Sequence, residues 1–375
     1  MDNLTHTLFA LTLTRTRLGR GGRGTTAALV LASNAPDIDI VATLGGTANY
    51  LAWHRGPTHG PLGIVGLGVV TAALIWCGGK IIRRQAEGKA QSGDRASFTT
   101  LLAVSIVGVL LHILMDLPTS YGTRLLSPFS WRWYAIDLLP IIDIYLLTAL
   151  ASGLVLGRRS AEAGRKWAAI VFVLMAVDYG GRAIAHHEAL NLTERLVRRW
   201  QPPACDAQAR SVALVDAWPR AMGRTRSCLV ETAAIPSFLS PFQWRLIAQF
   251  PDAYQIYEID LRDRSLRLDS NAIMPDSPLW DLLARPVALL PNRWTPIVFE
   301  AAKTRTAQTF LGFSRFALAQ DSRNASGVAT VRFTDLRFNA GFEEDSLPQT
   351  RRSSFFTVTV QIGPDHQIIH ERFGE

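Results

Sequence analysis

The sequence predicts an α-helical integral membrane domain, built as a helical hairpin plus about four spans, followed by a soluble β-rich α+β domain. Three observations predict it. Long apolar runs are confined to the first half of a 375-residue chain that is 48% hydrophobic and has a mean hydropathy of +0.13. The arginines and lysines of that half gather in short segments between the runs, as they do in inner-membrane proteins. After Trp200 the apolar residues instead alternate with polar ones, the two-residue period of strands. The length allows two domains. The expected division is 1–198, a helical membrane domain with a metal site, and 199–375, a soluble extracytoplasmic domain. A formal charge of +8 without an accompanying basic-aromatic strip excludes nucleic acid as a partner.

The first element is a hairpin. Residues 4–18 and 25–36 form two apolar arms around G-R-G-G-R-G, a strong turn signal. His6 and Asp37 stand about equally far from that turn. At ~1.5 Å per residue each arm is roughly 20 Å long, so the two side chains are expected to meet at one end. Four runs then approach the ~20 residues that a bilayer needs: 61–78, 99–115, 135–156 and 167–185. Glycines recur in the first of them, where small residues let helices pack closely in lipid. Asp2 and His6 replace the basic start of a signal peptide and no small-residue cleavage site follows, so no cleaved signal is expected and insertion relies on the spans.

Charge orients these elements. The hairpin tip carries Arg15, Arg17, Arg20 and Arg23. The loop after the first span carries Lys80, Arg83, Arg84, Lys89 and Arg95, and the loop after the third carries Arg158, Arg159, Arg165 and Lys166. All three fall on one side if the spans alternate, and that side is expected to be cytoplasmic. The opposite face then holds a set of polar residues and everything beyond the fourth span.

That set comes from separate segments. W-H-R-G-P-T-H-G supplies His54 and His59 in a loop shaped by glycines and a proline. The second span ends L-L-H-I-L-M-D, which puts His112 and Asp116 one turn apart on a shared face, able to bind one cation or to pair with each other. N-A-P-D-I-D brings Asp37 and Asp39 together after a proline that ends or bends the helix. Adjacent carboxylates repel, and near lipid they need a neutralising cation. Ionisable residues inside a membrane are costly and mark functional sites. His6, Asp37, Asp39, His54, His59, His112 and Asp116 together form a nitrogen-and-oxygen donor set suited to a divalent metal, zinc above all. They exceed one tetrahedral site, which leaves open two ions or one ion with supporting partners. Arg55 is itself a cation, and beside a metal it suits an anionic oxygen such as phosphate. The third span opens W-R-W-Y-A-I-D-L-L-P-I-I-D. Trp131, Trp133 and Tyr134 read as an interfacial belt, Asp137 lies at the mouth of the span, and Asp143 lies nearly two turns deeper, placed to hold a histidine or act as a base. Arg55, Asp137 and Asp143 are therefore the candidate catalytic residues. Asp178 and Arg182, one turn apart on the fourth span, read as an internal pair, with His186 and His187 beyond them.

With these residues in view, the first ~190 positions resemble the YdjM-like family of membrane-bound metal-dependent hydrolases. The resemblance rests, in order, on M-D-N-L-T-H-T-L, S-N-A-P-D-I-D, H-R-G-P-T-H-G, H-I-L-M-D, Y-G-T-R-L-L-S-P-F-S-W-R-W-Y and D-L-L-P-I-I-D. It implies a metal-dependent hydrolase of the bacterial inner membrane. The His112/Asp116 pair also gives a weaker likeness to zinc-dependent phospholipase C and P1-type nucleases, which cleave phosphoesters with zinc bound by histidine and aspartate.

In the second half, Q-P-P-A-C reads as a linker. Strand-like alternation follows in Q-W-R-L-I-A-Q-F, Y-Q-I-Y-E-I-D-L, V-A-T-V-R-F-T-D-L-R-F and S-F-F-T-V-T-V-Q-I. This half carries no nucleophile elbow, phosphate loop or metal motif. His366 and His370 read as structural or exposed. Cys205 and Cys228 either pair, if this half lies outside the cytoplasm, or stand as separate thiols. The expected function is hydrolysis of a lipid or lipid-linked phosphoester at the outer face of the inner membrane. Two other classes fit the same residues: an ion-coupled transporter, and an assembly protein whose metal only joins helices.

Overall fold

The computed structural model describes residues 1–85, 95–199, 217–218, 229–263, 287–338 and 356–374. Lys89, the linker Q-P-P-A-C and both Cys205 and Cys228 lie outside the described residues, while Cys77 is a free, exposed thiol. The chain forms two compact units, Met1–Ala42 with Trp53–Ala183, and Thr43–Ala52 with Ile184–Glu375.

The first unit is helical. The hairpin is α1 (Asn3–Leu13) and α2 (Thr25–Ala32), with a short 3₁₀ turn, Arg17–Arg20, between them. Asp2 caps α1 by accepting from the Thr5 N–H at 3.0 Å. Gly24 adopts a left-handed φ of 106° as α2 begins, a conformation open to a residue without Cβ. A 3₁₀ segment, Ala35–Gly45, follows, then α3 (Thr47–Trp53), whose residues up to Ala52 belong to the second unit, and a single 3₁₀ turn, Pro57–His59. Three long helices come next: α4 (Pro61–Gln85), α5 (Phe98–Asp116) and, beyond the shorter α6 (Ile144–Leu156), α7 (Ala161–Arg199).

Among the described residues three helices are long and apolar enough to cross a membrane, within α4, α5 and α7. A fourth is reached only if α2 and the 3₁₀ segment, bent by 43°, count as one broken span. The first, second and fourth expected spans therefore lie inside α4, α5 and α7. The third does not form as expected. Helix starts only at Ile144, and α6 has 13 residues, roughly 20 Å against a ~30 Å hydrocarbon core. Pro140 and Asp143 explain the loss. Proline disfavours helix at the residue before it, and Asp143 accepts from the Tyr145 and Leu146 N–H groups at 2.9 and 3.0 Å, which makes it the cap of α6 instead of a residue within a span. The stretch before it is extended and folds back on itself, Thr123 pairing with Tyr134 and Thr119 with Leu139.

The helices alternate in direction. At one end the Arg15 guanidinium reaches the Gly157 carbonyl at 3.4 Å, and Arg23 bridges Arg95. At the other end lie the start of α1, the end of α2, the start of α4 and the end of α5. Phe9, Leu13, Leu29, Leu101, Leu146, Leu150 and Val171 form the shared core. Close approaches occur at glycines: a Cβ on Gly108 would lie 2.8 Å from Ala32, and one on Gly68 would lie 2.6 Å from Ile106. Outward faces stay apolar, with Val65 and Leu74 on α4 and Val173 and Val177 on α7 exposed, as lipid-facing helices require.

The second unit holds two four-stranded antiparallel sheets, ordered β1-β2-β3-β4 and β5-β6-β7-β8. The first sheet is β1 (Glu231–Pro236), β2 (Gln243–Gln249), β3 (Ala253–Asp260) and β4 (Ala288–Pro291); the second is β5 (Ala317–Arg323), β6 (Ala329–Asp335), β7 (Thr357–Ile362) and β8 (Ile368–Phe373). Each of the four alternating segments contains a strand: β2, β3, β6 and β7. Alternation gives the first sheet two buried faces. Trp244, Leu246 and Tyr257 pack on Ala189, Leu192 and Leu196 from the end of α7. Ile247, Tyr254 and Ile256 pack on Phe316, Leu318 and Leu336. Two short helices, α8 (Pro296–Ala301) and α9 (Arg305–Phe313), join the sheets. His366 is exposed and contacts Glu300 at 2.8 Å.

Candidate metal centre

The N-A-P-D-I-D turn, the H-R-G-P-T-H-G loop and the end of α5 converge at the end of the helical unit opposite Arg15, Arg23 and Arg95. Asp37, His59, His112 and Asp116 form a group whose donor atoms all lie within 4.8 Å of one another. His59 Nε2 is 3.3 Å from His112 Nε2. Asp116 Oδ2 is 3.5 Å from His59 Nε2 and 3.4 Å from His112 Nε2. Asp37 Oδ1 is 3.7 and 3.6 Å from the same two nitrogens. A tetrahedral zinc ion with bonds of ~2.0–2.1 Å has donors about 3.3–3.4 Å apart. Five of the six donor pairs have close to that spacing, so the residues present are placed to hold such an ion. His59, His112 and Asp116 are buried and Asp37 is nearly so, so the two carboxylates sit where cations stabilise them, Arg55 among them.

Each histidine of the group is oriented through its far nitrogen, the arrangement metal ligands need. His112 Nδ1 donates to the Ser33 carbonyl at 2.7 Å, turning Nε2 inward. His59 Nδ1 lies 3.0 Å from the Thr58 hydroxyl and 3.7 Å from Asp39 Oδ2. Asp39 does not join the four. It accepts from the Arg55 backbone N–H at 2.7 Å and lies 3.3 Å from His54 Nδ1, so it fastens the H-R-G-P-T-H-G loop. His54 accordingly faces Asp39 and the edge of Tyr121, 5.3 Å between rings, and lies outside the group. Burial, only partly offset by Asp39, holds the His54 imidazole below its ordinary pKa. Burial also drives His59 well below it, with neighbouring cationic groups adding to the effect. Both are thus neutral near pH 7, the form in which imidazole binds metal.

His6 is buried against the group, its ring stacked on that of His112 at 3.8 Å and its Nε2 3.4 Å from Asp116 Oδ1. Arg55 has a left-handed φ of 50°, unusual for a residue with a side chain. That turn aims its guanidinium inward, 3.1 Å from Asp116 Oδ1, with a hydrogen bond to the Gly122 carbonyl at 2.9 Å and the Tyr121 ring at 4.7 Å. The Met1 amino nitrogen also contacts Asp116.

The other expected residues lie elsewhere. Asp137 is buried in the extended stretch before α6, with a left-handed φ of 61°. Asp143 meets no histidine among the described residues. Its Oδ2 is 2.6 Å from Arg182 Nη2, and Arg182 Nε is 3.2 Å from Asp178. The Asp178–Arg182 spacing was visible in the sequence, but the link to Asp143 was not. Trp133 is wholly buried instead of lying in an interfacial belt, and Arg124 stacks on it at 4.3 Å. Trp131 is partly exposed and meets Trp53 edge-on at 5.7 Å.

The YdjM inner membrane protein family matches residues 1–189, which include every residue of the centre. The uncharacterized protein YfhP of Bacillus subtilis (strain 168) is 25% identical over 267 residues, covering 64% of this chain and 77% of that protein. No solved structure matches. The family resemblance is thus supported, and the weaker likeness to zinc-dependent phospholipase C and P1-type nucleases is not.

Proposed function

This chain belongs to the YdjM inner membrane protein family, and on that premise we propose that it is a zinc-dependent hydrolase acting on a lipid or lipid-linked phosphoester at the outer face of the membrane. The observation that carries the proposal is the spacing of Asp37, His59, His112 and Asp116: five of the six donor pairs lie 3.3 to 3.7 Å apart, and all lie within 4.8 Å. Zinc held there would polarise a phosphoryl oxygen and, at a coordination position that Asp37 gives up, would supply a water acidified toward neutrality. The chain's own residues do the rest. Ser33, through its carbonyl, and Thr58 and Asp39, through their side chains, hold the two imidazoles in register. Arg55 offers a guanidinium beside the centre to an anionic phosphoryl oxygen. Asp37 Oδ2 is buried without a hydrogen-bond partner, and it takes up the proton released at the centre. Asp143, committed to the α6 cap and to Arg182, has no part in that transfer.

The test compares full-length protein with its His59→Ala variant, both purified in detergent. Wild type is expected to retain stoichiometric zinc and to hydrolyse bis(p-nitrophenyl) phosphate; the variant loses both. Wild type without bound metal overturns the proposal. Bound metal with no turnover, together with Asp116-dependent ion flux in proteoliposomes, favours a transporter.

A further inference from the structure

The four-residue group uses one oxygen of Asp116, Oδ2. The other oxygen, Oδ1, faces a different set of atoms. His6 Nε2 lies 3.4 Å from it, the same separation as between His112 Nε2 and Oδ2 within the group. His6 is fully buried, and neither of its ring nitrogens has a hydrogen-bond partner. A buried imidazole seldom leaves both nitrogens unused, because burial strips water that nothing then replaces. Stacking on His112 at 3.8 Å fixes the plane of the ring, so Nε2 stays aimed at the carboxylate. Four donors complete a tetrahedral ion, which leaves His6 no place on the first one. The same oxygen also attracts a cation: the Arg55 guanidinium is 3.1 Å away.

We propose that Asp116 bridges two cation positions, and that a second divalent ion binds Oδ1 with His6 Nε2 as its nitrogen donor. The inference rests on the metal-centre reading above and decides between the one-ion and two-ion arrangements that the donor count allows. With two protein donors, the second position keeps open coordination for water and an anionic substrate oxygen, as catalytic sites do. Arg55 remains anchored when its guanidinium turns from Oδ1 to that anion, since Nη1 keeps the Gly122 carbonyl and its backbone N–H keeps Asp39.

Full-length protein in detergent, saturated with Zn²⁺ and freed of excess by gel filtration, is assayed for metal per chain by mass spectrometry. Two ions are expected in wild type and one in His6→Ala. Manganese-loaded wild type is expected to give an exchange-coupled electron paramagnetic resonance spectrum, and His6→Ala an uncoupled one. A single ion in wild type overturns the inference while leaving the first site standing, even if the variant fails to fold. No ion in wild type overturns both.

Discussion

The carbonyl oxygen of Ser127 stands only 1.7 Å from where a Cβ on Gly60 would sit. Gly60 follows His59 directly, so its lack of a side chain lets the loop that carries His59 lie backbone to backbone on the segment after Gly122. The Arg124 N–H donates to the Arg55 carbonyl at 3.2 Å in the same contact. Gly60→Ala cannot be absorbed by a flexible side chain, because the clash is with backbone. The substitution is expected to displace His59 and weaken zinc binding on the order of tenfold to a hundredfold, the range typical of lost ligand support. Competition with a chromogenic chelator measures the change, and unaltered affinity would show that the loop is not held this way. Residue identities at the centre were largely legible in the sequence, since each sits in a short local motif. Their division of labour was not. His54 and His59 share one loop, and only Asp39, folded back from the preceding turn, separates a candidate ligand from a loop fastener.

Elements were legible where one local pattern decided them and illegible where distant residues did. The runs of α4, α5 and α7 exceed what any loop tolerates, so their helices follow from apolar length alone. The stretch 135–156 is equally apolar, yet its first part is extended, because Pro140 and the Asp143 cap outweigh composition. Asp143 then lies in contact with Arg182 of α7, a pairing that no periodicity reveals. Arg182 is fully buried between Asp143 at 2.6 Å and Asp178 at 3.2 Å. Removing one member of such a pair leaves a buried charge poorly compensated, at a cost of roughly 3–5 kcal/mol, with about 1 kcal/mol more for the lost cap. Asp143→Ala should therefore lower the thermal unfolding temperature in detergent while the folded protein keeps its zinc. Loss of zinc at an unchanged unfolding temperature would instead make Asp143 part of the centre.

At the scale of the molecule, charge and chemistry occupy opposite ends of the helical unit. Arg15, Arg23 and Arg95 mark one end through their contacts; at that same end Arg158 and Arg159 lie in the connection from α6 to α7, and Arg165 and Lys166 lie in the first turns of α7. The candidate metal ligands mark the other. The shortness of α6 does not disturb this arrangement, because the helix still brings the chain back to the arginine end and α7 still leaves from it. Positive charge stays in the cytoplasm, so the centre and the chain emerging from α7 are expected outside, the sheet-containing unit with them. Two single cysteines in a cysteine-free background test the prediction, since Ser326, in the turn between β5 and β6, and Ser160, ahead of α7, are both exposed. A membrane-impermeant maleimide added to spheroplasts is expected to label Ser326→Cys at once and Ser160→Cys only after lysis. The reverse pattern would put the metal centre in the cytoplasm, within reach of cytoplasmic substrates, and would require the arginine cluster to defy the charge rule. Labelling of both in intact spheroplasts would mean that α7 does not cross the membrane, and would remove the basis for placing the centre at the outer face.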